Sequence, residues 1–206
     1  MSIDRYEDLN DMQLDVLKEI GNIGSGNATT ALSAMIGKMV DIEVPRVQFL
    51  SFQDAIDAAG GAEKNIAGVL VRINGDIDGM ILFLFEFGLI DYILGNLFGK
   101  TITDMDQLDD IDRSALKEIG NIMASSYVNA IAQLAGMNIF VDIPELAVDM
   151  LGAIVSLPAV EVGEISDKLL FIDNNMIIDK VNVTSKILLV PSVSSLDHIM
   201  TNLGVM

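Results

Sequence analysis

The hydrophobic positions of the chain follow two periods, which alternate along the sequence in the same order twice. Residues 11–37 and 110–136 place apolar side chains three and four positions apart, which predicts two long amphipathic helices. Acidic residues stand at the start of each segment, and Gly37 or Gly136 is predicted to end it. Alternating or continuous apolar runs elsewhere predict strands. The pattern therefore predicts a mixed α/β (α+β) fold.

The same set of shorter elements follows each predicted long helix. A short strand ends at a proline, a short helix comes next, two strands form a hairpin, and a further helix closes the half. The turn Asn74-Gly75-Asp76 favours a tight hairpin in the first half, whereas a longer loop is predicted in the second. The predicted strands are Val40–Val44, Ile66–Ile73, Gly79–Phe85, Ile139–Ile143, Lys168–Asp173 and Ser185–Val190, and the predicted short helices cover about 51–59 and 145–155.

The two halves also repeat one another in sequence. The heptapeptide Leu-Lys-Glu-Ile-Gly-Asn-Ile stands at 17–23 and again at 116–122, 99 residues later. The motif Asp-x-Ile-x-x-Asn-Leu stands at 91–97 and again at 197–203, 106 residues later, so the second half has gained seven residues. Two matches in the same order indicate an internal duplication.

The duplication predicts one domain over residues 1–206. Repeat one spans about 11–98 and repeat two about 110–206, with 99–109 as the surface connection. Three strands per half cannot easily bury both of their faces alone. We therefore expect one sheet of about six strands, with pseudo-twofold symmetry and helices on its faces.

Both long helices are predicted to display the same polar stripe, because about 100° separates successive residues of a helix. The stripe consists of a short polar residue, a carboxylate and a carboxamide: Asp15, Glu19 and Asn22 in the first helix, and Ser114, Glu118 and Asn121 in the second. One such stripe would be ordinary solvated surface. Two stripes that kept their Glu and Asn while neighbouring positions diverged favour a function, because exposed asparagine is a poor helix residue.

The glycines around Asn22 need a separate explanation. Gly21-Asn22-Ile23-Gly24-Ser25-Gly26 is rich enough in glycine for a phosphate-binding loop, but such a loop follows a strand, and this segment lies inside a predicted helix. We therefore expect Gly21 and its counterpart Gly120 to allow close packing against a neighbouring helix or the sheet.

Composition narrows the possible functions. The net charge of -18 disfavours binding to nucleic acids or to anionic membrane surfaces. The sequence has no cysteine, and His198 is its single histidine, so no metal site is predicted. The acidic N-terminus has no apolar signal core, and the run Met80–Phe85 is too short to span a membrane. We therefore expect a cytoplasmic protein without membrane insertion.

Together with the prolines beyond them, the stripes resemble a known signature. The pattern Asp/Ser-x3-Glu-x2-Asn-x22-Pro is typical of the CheC/CheX/FliY family of chemotaxis phosphatases, and this chain satisfies it twice, ending at Pro45 and Pro144. The resemblance covers nearly the whole chain, whose length and two complete motifs are similar to CheC-type members. It implies that the substrate is the phosphorylated response regulator CheY. The implied catalytic residues are Glu19, Asn22, Glu118 and Asn121, supported by Asp15, Pro45, Ser114 and Pro144.

The resemblance also implies how the reaction is divided between the partners. The response regulator supplies Mg²⁺ and a lysine, so the chain needs no cofactor of its own. A neutral carboxamide can orient the attacking water, which is the role implied for Asn22 and Asn121. Glu19 or Glu118 would pair with the partner's lysine, with general-base catalysis as the alternative role.

A second partner is implied by the same resemblance, namely the receptor deamidase CheD. The segment that would bind it is the predicted helix Glu145–Ile154, with Asp149 as the expected contact, although Asp149 is equally consistent with an ordinary exposed acid. The alternative function is a non-catalytic adaptor that binds CheY or CheD. A carboxylate metal hydrolase is disfavoured, because Glu and Asn without histidine form a poor ligand set.

Overall fold

Helices and antiparallel strands alternate along the described chain. The computed structural model describes residues 6–43, 46–162 and 168–205. The helices are α1 (Asp11–Ile36), α2 (Phe52–Ala58), α3 (Phe87–Phe98), α4 (Asp110–Ala135), α5 (Leu151–Val162) and α6 (Val193–Asn202). The strands are β1 (Val40–Ile42), β2 (Arg46–Ser51), β3 (Asn65–Gly75), β4 (Gly79–Phe85), β5 (Ile139–Val141), β6 (Glu145–Met150), β7 (Lys168–Ile178) and β8 (Val181–Pro191). The mixed α/β class predicted from the pattern is confirmed.

The two long helices begin and end as their sequence predicts. Helix α1 starts after Asn10, whose side chain accepts a hydrogen bond from the backbone N–H of Gln13, and the Gln13 side chain caps Asn10 in return. Helix α4 starts after Asp109 with the same reciprocal arrangement to Asp112. Each helix is 26 residues long and is followed by a glycine in the left-handed conformation, with φ of 64° and 65° respectively.

Each half of the chain contributes strands that pair with strands of the other half. The sheet order is β1-β7-β8-β4-β3-β5, while β2 also pairs with β7 and β6 with β3. The strands that follow α1 therefore pair with the hairpin of the second half, and the strands that follow α4 pair with the hairpin of the first half. Strands β4 and β8 meet at the centre, where Leu82 faces Leu188. These two residues are 106 positions apart, so the pseudo-twofold axis passes between them.

Eight strands replace the expected six in the described residues, because two segments were misread. Residues 46–51 form β2, which was not predicted, and 145–150 form β6 rather than the first half of a helix. Strand β6 hydrogen-bonds along β3, so pairing with a distant strand decides its conformation. The helix expected at 145–155 was therefore wrong over its first six residues, and α5 begins at Leu151.

The second hairpin also differs from expectation. Its strands β7 and β8 are joined by a tight turn at Asp179 and Lys180, which have φ of 49° and 70°, instead of by a long loop. Strand β8 has 11 residues where its counterpart β4 has 7, while β7 and its counterpart β3 both have 11. The end of β7 then pairs with Val40–Ile42 of β1.

Both faces of the sheet are covered, and α1 and α4 pack closely on one of them. A Cβ atom built on Gly21 would lie 3.0 Å from a Val47 methyl carbon, and one on Gly120 would lie 2.4 Å from a Val69 methyl carbon. These distances confirm that both glycines permit close packing against the sheet. Between the helices, Gly24 lies against the ring of the buried Tyr127. The opposite face is covered by α2 and α5. Within the described ranges, no helix is long and apolar enough to cross a membrane.

Candidate functional site

The polar stripe of each long helix faces away from the core. In α4, Leu116 and Ile119 are fully buried, while Ser114 and Glu118 are exposed and Asn121 is half-buried. The corresponding residues of α1 have the same exposure, with Asp15 and Glu19 exposed and Asn22 half-buried. The two asparagines therefore lie at the boundary between the packed helix face and the solvent.

An open groove with a volume of about 350 Å³ lies beside the second motif. Its helix wall consists of Ser114, Lys117, Glu118 and Asn121, and its other wall consists of Val141, Asp142, Ile143 and Pro144. The structure thus brings together all four predicted motif residues of the second half. Strand β5 is responsible, because its pairing with the end of β3 carries Pro144 next to α4.

Hydrogen bonds fix the outer wall of this groove. The backbone N–H of Asp142 donates to the Arg72 carbonyl at 2.9 Å. The Asn74 side chain donates to the Asp142 carboxylate at 2.7 Å. The next residue, Ile143, is 89% exposed at the mouth of the groove. A partner that reaches Asn121 would therefore meet a hydrogen-bonded rim from which the Ile143 side chain protrudes.

The first motif has the same residues in a different setting. Asp15 accepts a hydrogen bond from Lys18 at 2.9 Å. The amide oxygen of Asn22 is shielded from solvent and accepts no hydrogen bond from the described residues. Its capacity to accept a hydrogen bond is therefore unused. The closing proline predicted for this motif, Pro45, lies outside the described residues.

Sequence reasoning did not identify Lys117, Asp142 or Ile143 as part of the site. Lys117 could have been found, because it stands at the position of Lys18 in the repeated heptapeptide. Asp142 and Ile143 carried no comparable signal, because their place in the groove depends on the exchange of strands between the halves.

Asp149 lies on a strand and not on the helix predicted for it. It is an exposed residue of β6 opposite Ile66, and its carboxylate accepts a hydrogen bond from the backbone N–H of Met150 at 2.7 Å. Exposed apolar side chains of Met150, Leu157 and Val160 follow it on the same segment. Asp149 therefore stands at the edge of a partly apolar surface.

The carboxyl group of Glu86, which lies outside both motifs, has a shifted pKa. Burial raises the pKa of Glu86, but hydrogen bonds from Lys64 and Lys186, at 2.9 and 3.0 Å, outweigh burial and hold that pKa below its usual value. Lys186 also lies 3.6 Å from Asp173. These groups neutralise one another and have a structural role. Among the described residues, no group of three or more His, Asp or Glu side chains could hold a metal ion.

The arrangement of the second motif can orient a small molecule but contains no strong nucleophile. Glu118 and Asn121 are three residues apart on one helix face, so their Cβ atoms are about 5–6 Å apart. An exposed carboxylate can bind a cation, and a half-buried carboxamide can both donate and accept hydrogen bonds. Such a pair suits a reaction in which the partner supplies the reactive group.

Comparison with known proteins indicates the same family as the two sequence motifs. Residues 12–48 and 111–142, which contain both motif helices, match the model of the CheC-like family. The chain is 32% identical over 173 residues to the CheY-P phosphatase CheC of Bacillus subtilis (strain 168), with 83% of each chain covered. It is 25% identical over 183 residues to the CheC1 protein of Halobacterium salinarum, covering 89% of this chain and 92% of that one.

A solved structure has the same fold. The crystal structure of Thermotoga maritima FliY superposes with a TM-score of 0.70 at 22% sequence identity, covering 96% of this chain and 98% of that one. At this identity the likeness concerns the fold alone.

Proposed function

The chain belongs to the CheC-like family, and from this premise we propose that it hydrolyses the aspartyl phosphate of the response regulator CheY. The observation that carries the proposal is the pair Glu118 and Asn121, displayed on a rigid helix beside an open groove that Pro144 completes. The pair Glu19 and Asn22 repeats the same arrangement on α1. Acting on this substrate would place the protein in the cytoplasm.

The proposed mechanism assigns little covalent chemistry to the chain. An aspartyl phosphate is an activated acyl phosphate whose transfer proceeds through a loose transition state, so the main requirement is a correctly placed water molecule. We assign Asn121 and Asn22 to orient this water through the carboxamide. We assign Glu118 and Glu19 to pair with a lysine of the response regulator, with general-base catalysis as the alternative.

The energetic requirement for this mechanism is modest. One orienting hydrogen bond that accelerates hydrolysis on the order of 10²-fold corresponds to about 2.7 kcal/mol. The response regulator would supply Mg²⁺, so we propose no metal or other cofactor held by this chain. The half-buried position of Asn121 supports the role. The folded helix already holds this residue at the groove before the partner binds.

We also propose the receptor deamidase CheD as a second partner, bound at β6 and the start of α5. Asp149 would contribute a charged contact at the edge of the exposed Met150, Leu157 and Val160 side chains. Exposed apolar side chains rimmed by polar groups are typical of protein-binding surfaces. Replacing Val160, which is 79% exposed, by a charged residue should weaken CheD binding in a pull-down or calorimetric titration.

The decay of phosphorylated CheY tests the proposed enzyme activity. The unaltered chain should accelerate release of phosphate, and the double variant Asn22→Ala with Asn121→Ala should restore the intrinsic decay rate. The matched control is the double variant Asn27→Ala with Asn129→Ala. These two exposed residues lie on the same two helices beyond the stripes, so this variant should keep the activity of the unaltered chain.

The same measurements separate the enzyme from the adaptor. An unaltered chain that binds phosphorylated CheY without changing its decay rate would contradict the phosphatase and support the non-catalytic adaptor. A double asparagine variant that keeps full activity would contradict the assigned residues.

A further inference from the structure

The two motif helices differ in the state of one lysine. Lys18 and Lys117 occupy the same position of the repeated heptapeptide, each directly before the motif glutamate. Three residues earlier, the first helix has Asp15 and the second has Ser114. The carboxylate of Asp15 binds the Lys18 ammonium at 2.9 Å. Ser114 offers Lys117 no such charge.

Lys117 lies in a groove that also contains the carboxylates of Glu118 and Asp142, but it is paired with neither of them. The structure gives its ammonium group no ion pair or hydrogen bond with any described residue, and its side chain is exposed. It also forms part of the groove wall, where it stands one helical turn before Asn121. A cation at this place faces whatever enters the groove.

The chemistry of the substrate fits a cation at this position. A phosphoryl group carries negative oxygen atoms, and a charge-assisted hydrogen bond from an ammonium group to such an oxygen is stronger than a neutral one. The whole chain carries a net charge of -18, so an anionic ligand is otherwise repelled. A free lysine offsets this repulsion locally.

Resting on the proposed function, we propose that Lys117 binds the phosphoryl group of the substrate at the second site. At the first site Asp15 pairs with the equivalent lysine and competes with this contact. The two sites then differ in their affinity for the phosphorylated partner even though their Glu and Asn residues are the same. Lys117 is in this scheme a substrate-binding residue, while Asn121 orients the water.

The test isolates the second site by using Asn22→Ala as the background. In this background Lys117→Gln should raise the KM for phosphorylated CheY about fivefold with a smaller change in kcat, because a charge-assisted contact to substrate is lost. Lys117→Arg should restore most of the affinity. The matched control Lys18→Gln should leave the KM unchanged, because Lys18 belongs to the silenced site.

Binding of unphosphorylated CheY identifies the anion that Lys117 contacts. If the contact is the phosphoryl group, Lys117→Gln should not change the affinity for the unphosphorylated protein. An equal loss of affinity for both forms would overturn the proposal in favour of carboxylates on the partner.

A double-variant cycle tests the part assigned to Ser114. In the same background Ser114→Asp should raise the KM by pairing with Lys117, and it should have a much smaller effect once Lys117→Gln is present. If Ser114→Asp raised the KM equally with and without Lys117→Gln, the new carboxylate would simply repel the substrate. That result would contradict the assigned pairing with Lys117. In the reciprocal background Asn121→Ala, Asp15→Ser should lower the KM by releasing Lys18.

The outcomes distinguish this inference from the proposed function. An active Lys117→Gln chain with an unchanged KM would overturn the role of Lys117 and leave the phosphatase intact. An unaltered chain without activity would overturn both.

Discussion

Helices α1 and α4 share an identical heptapeptide and an identical length of 26 residues, yet they present their motifs differently. Helix α4 opens its Asn121 onto a groove with a defined outer wall. Helix α1 holds Asn22 with its amide oxygen shielded from solvent. It also neutralises Lys18 with Asp15, whereas Lys117 of α4 has no such partner in the described chain.

The difference shows that a repeated motif does not determine its own surroundings. Seven identical residues fix which side chains face outward, because the helical period and the buried face are the same. The charge beside each motif depends on residues outside the heptapeptide, such as Ser114 in place of Asp15. We therefore expect the second site to be the more active one.

The two sites should differ most in their contribution to the rate of catalysis. Asn121→Ala should lower the rate of CheY-P dephosphorylation about tenfold, while Asn22→Ala should lower it less than about twofold, because the first site contributes the smaller share. Steady-state release of phosphate measures both. Equal losses from the two single variants would contradict the inequality of the sites.

The packing of the two helices on the sheet should differ as well. A methyl group on Gly120 meets the buried Val69 at 2.4 Å, and such overpacking costs about 1–3 kcal/mol. This clash belongs at the upper end of that range, and a gain of up to about 1 kcal/mol in helix propensity offsets part of it, so Gly120→Ala should destabilise the protein by about 2 kcal/mol. At Gly21 the nearest carbon, on Val47, is 3.0 Å away, and the gain of up to about 1 kcal/mol in helix propensity offsets most of the strain. Gly21→Ala should be nearly neutral.

Urea unfolding measures the two glycine variants side by side. The midpoint should fall for Gly120→Ala at an unchanged slope, and it should barely move for Gly21→Ala. A larger loss at Gly21 would reverse the assignment of the tighter helix–sheet contact.

A smaller, stabilising effect is expected at Gly26 of α1. A Cβ atom there would have no heavy atom within 4 Å, so alanine adds no strain. The helix counterpart in α4 is Ser125, which already has a side chain. Gly26→Ala should raise stability by up to about 1 kcal/mol, which corresponds to roughly 2–4 °C in Tm for a protein of this size. An unchanged or lower Tm in thermal unfolding would contradict the open surroundings of Gly26.

The smallest expected effect concerns acid pH and the starts of the two helices. A hydrogen bond from Lys100, and then one from the backbone of Asp112, lower the pKa of Asp109 from 3.8 to about 2. Because the folded pKa is depressed, this stabilisation is present above pH 3.8 and is lost as the pH falls towards 2. Helix α1 starts at Asn10 and Gln13, which do not titrate.

The variant Asp109→Asn isolates this contribution. Its urea midpoint should fall less steeply than that of the unaltered chain between pH 5 and pH 2, because the titrating cap has been removed. Asn10→Ala should lower stability by the same amount across this range. A pH dependence that Asp109→Asn leaves unchanged would contradict the role of the Lys100–Asp109 pair.

The sequence predicted the helices and the displayed stripes well, for a physical reason. Helical period, capping residues and the terminal glycines are local signals, so α1 and α4 were placed within one residue of their observed ends. The exposure of Glu118 and the burial of Ile119 follow from the same period. Duplication strengthened the choice of site residues, because it allowed two related helices to be compared.

Strand pairing could not be predicted in the same way. A hydrophobic pattern shows that a segment can join a sheet, but it does not identify the partner strand. Residues 145–150 were therefore read as helix, although their partner β3 lies about 80 positions earlier. The strand predicted over Lys168–Asp173 was likewise too short, because β7 continues to Ile178. Asp142 and Ile143 of the groove were missed for the same reason, because their place depends on the pairing of β5 with β3.

The exchange of strands between the halves affects what the connection at 99–109 must do. Strand β2 lies before this connection and pairs with β7 beyond it, and β6 lies beyond it and pairs with β3 before it. A proteolytic cut there would leave two fragments that each still supply a strand to the other. The backbone hydrogen bonds of the sheet would hold such a nicked protein together, and a chain of one repeat would have to associate with a second copy to complete the same sheet.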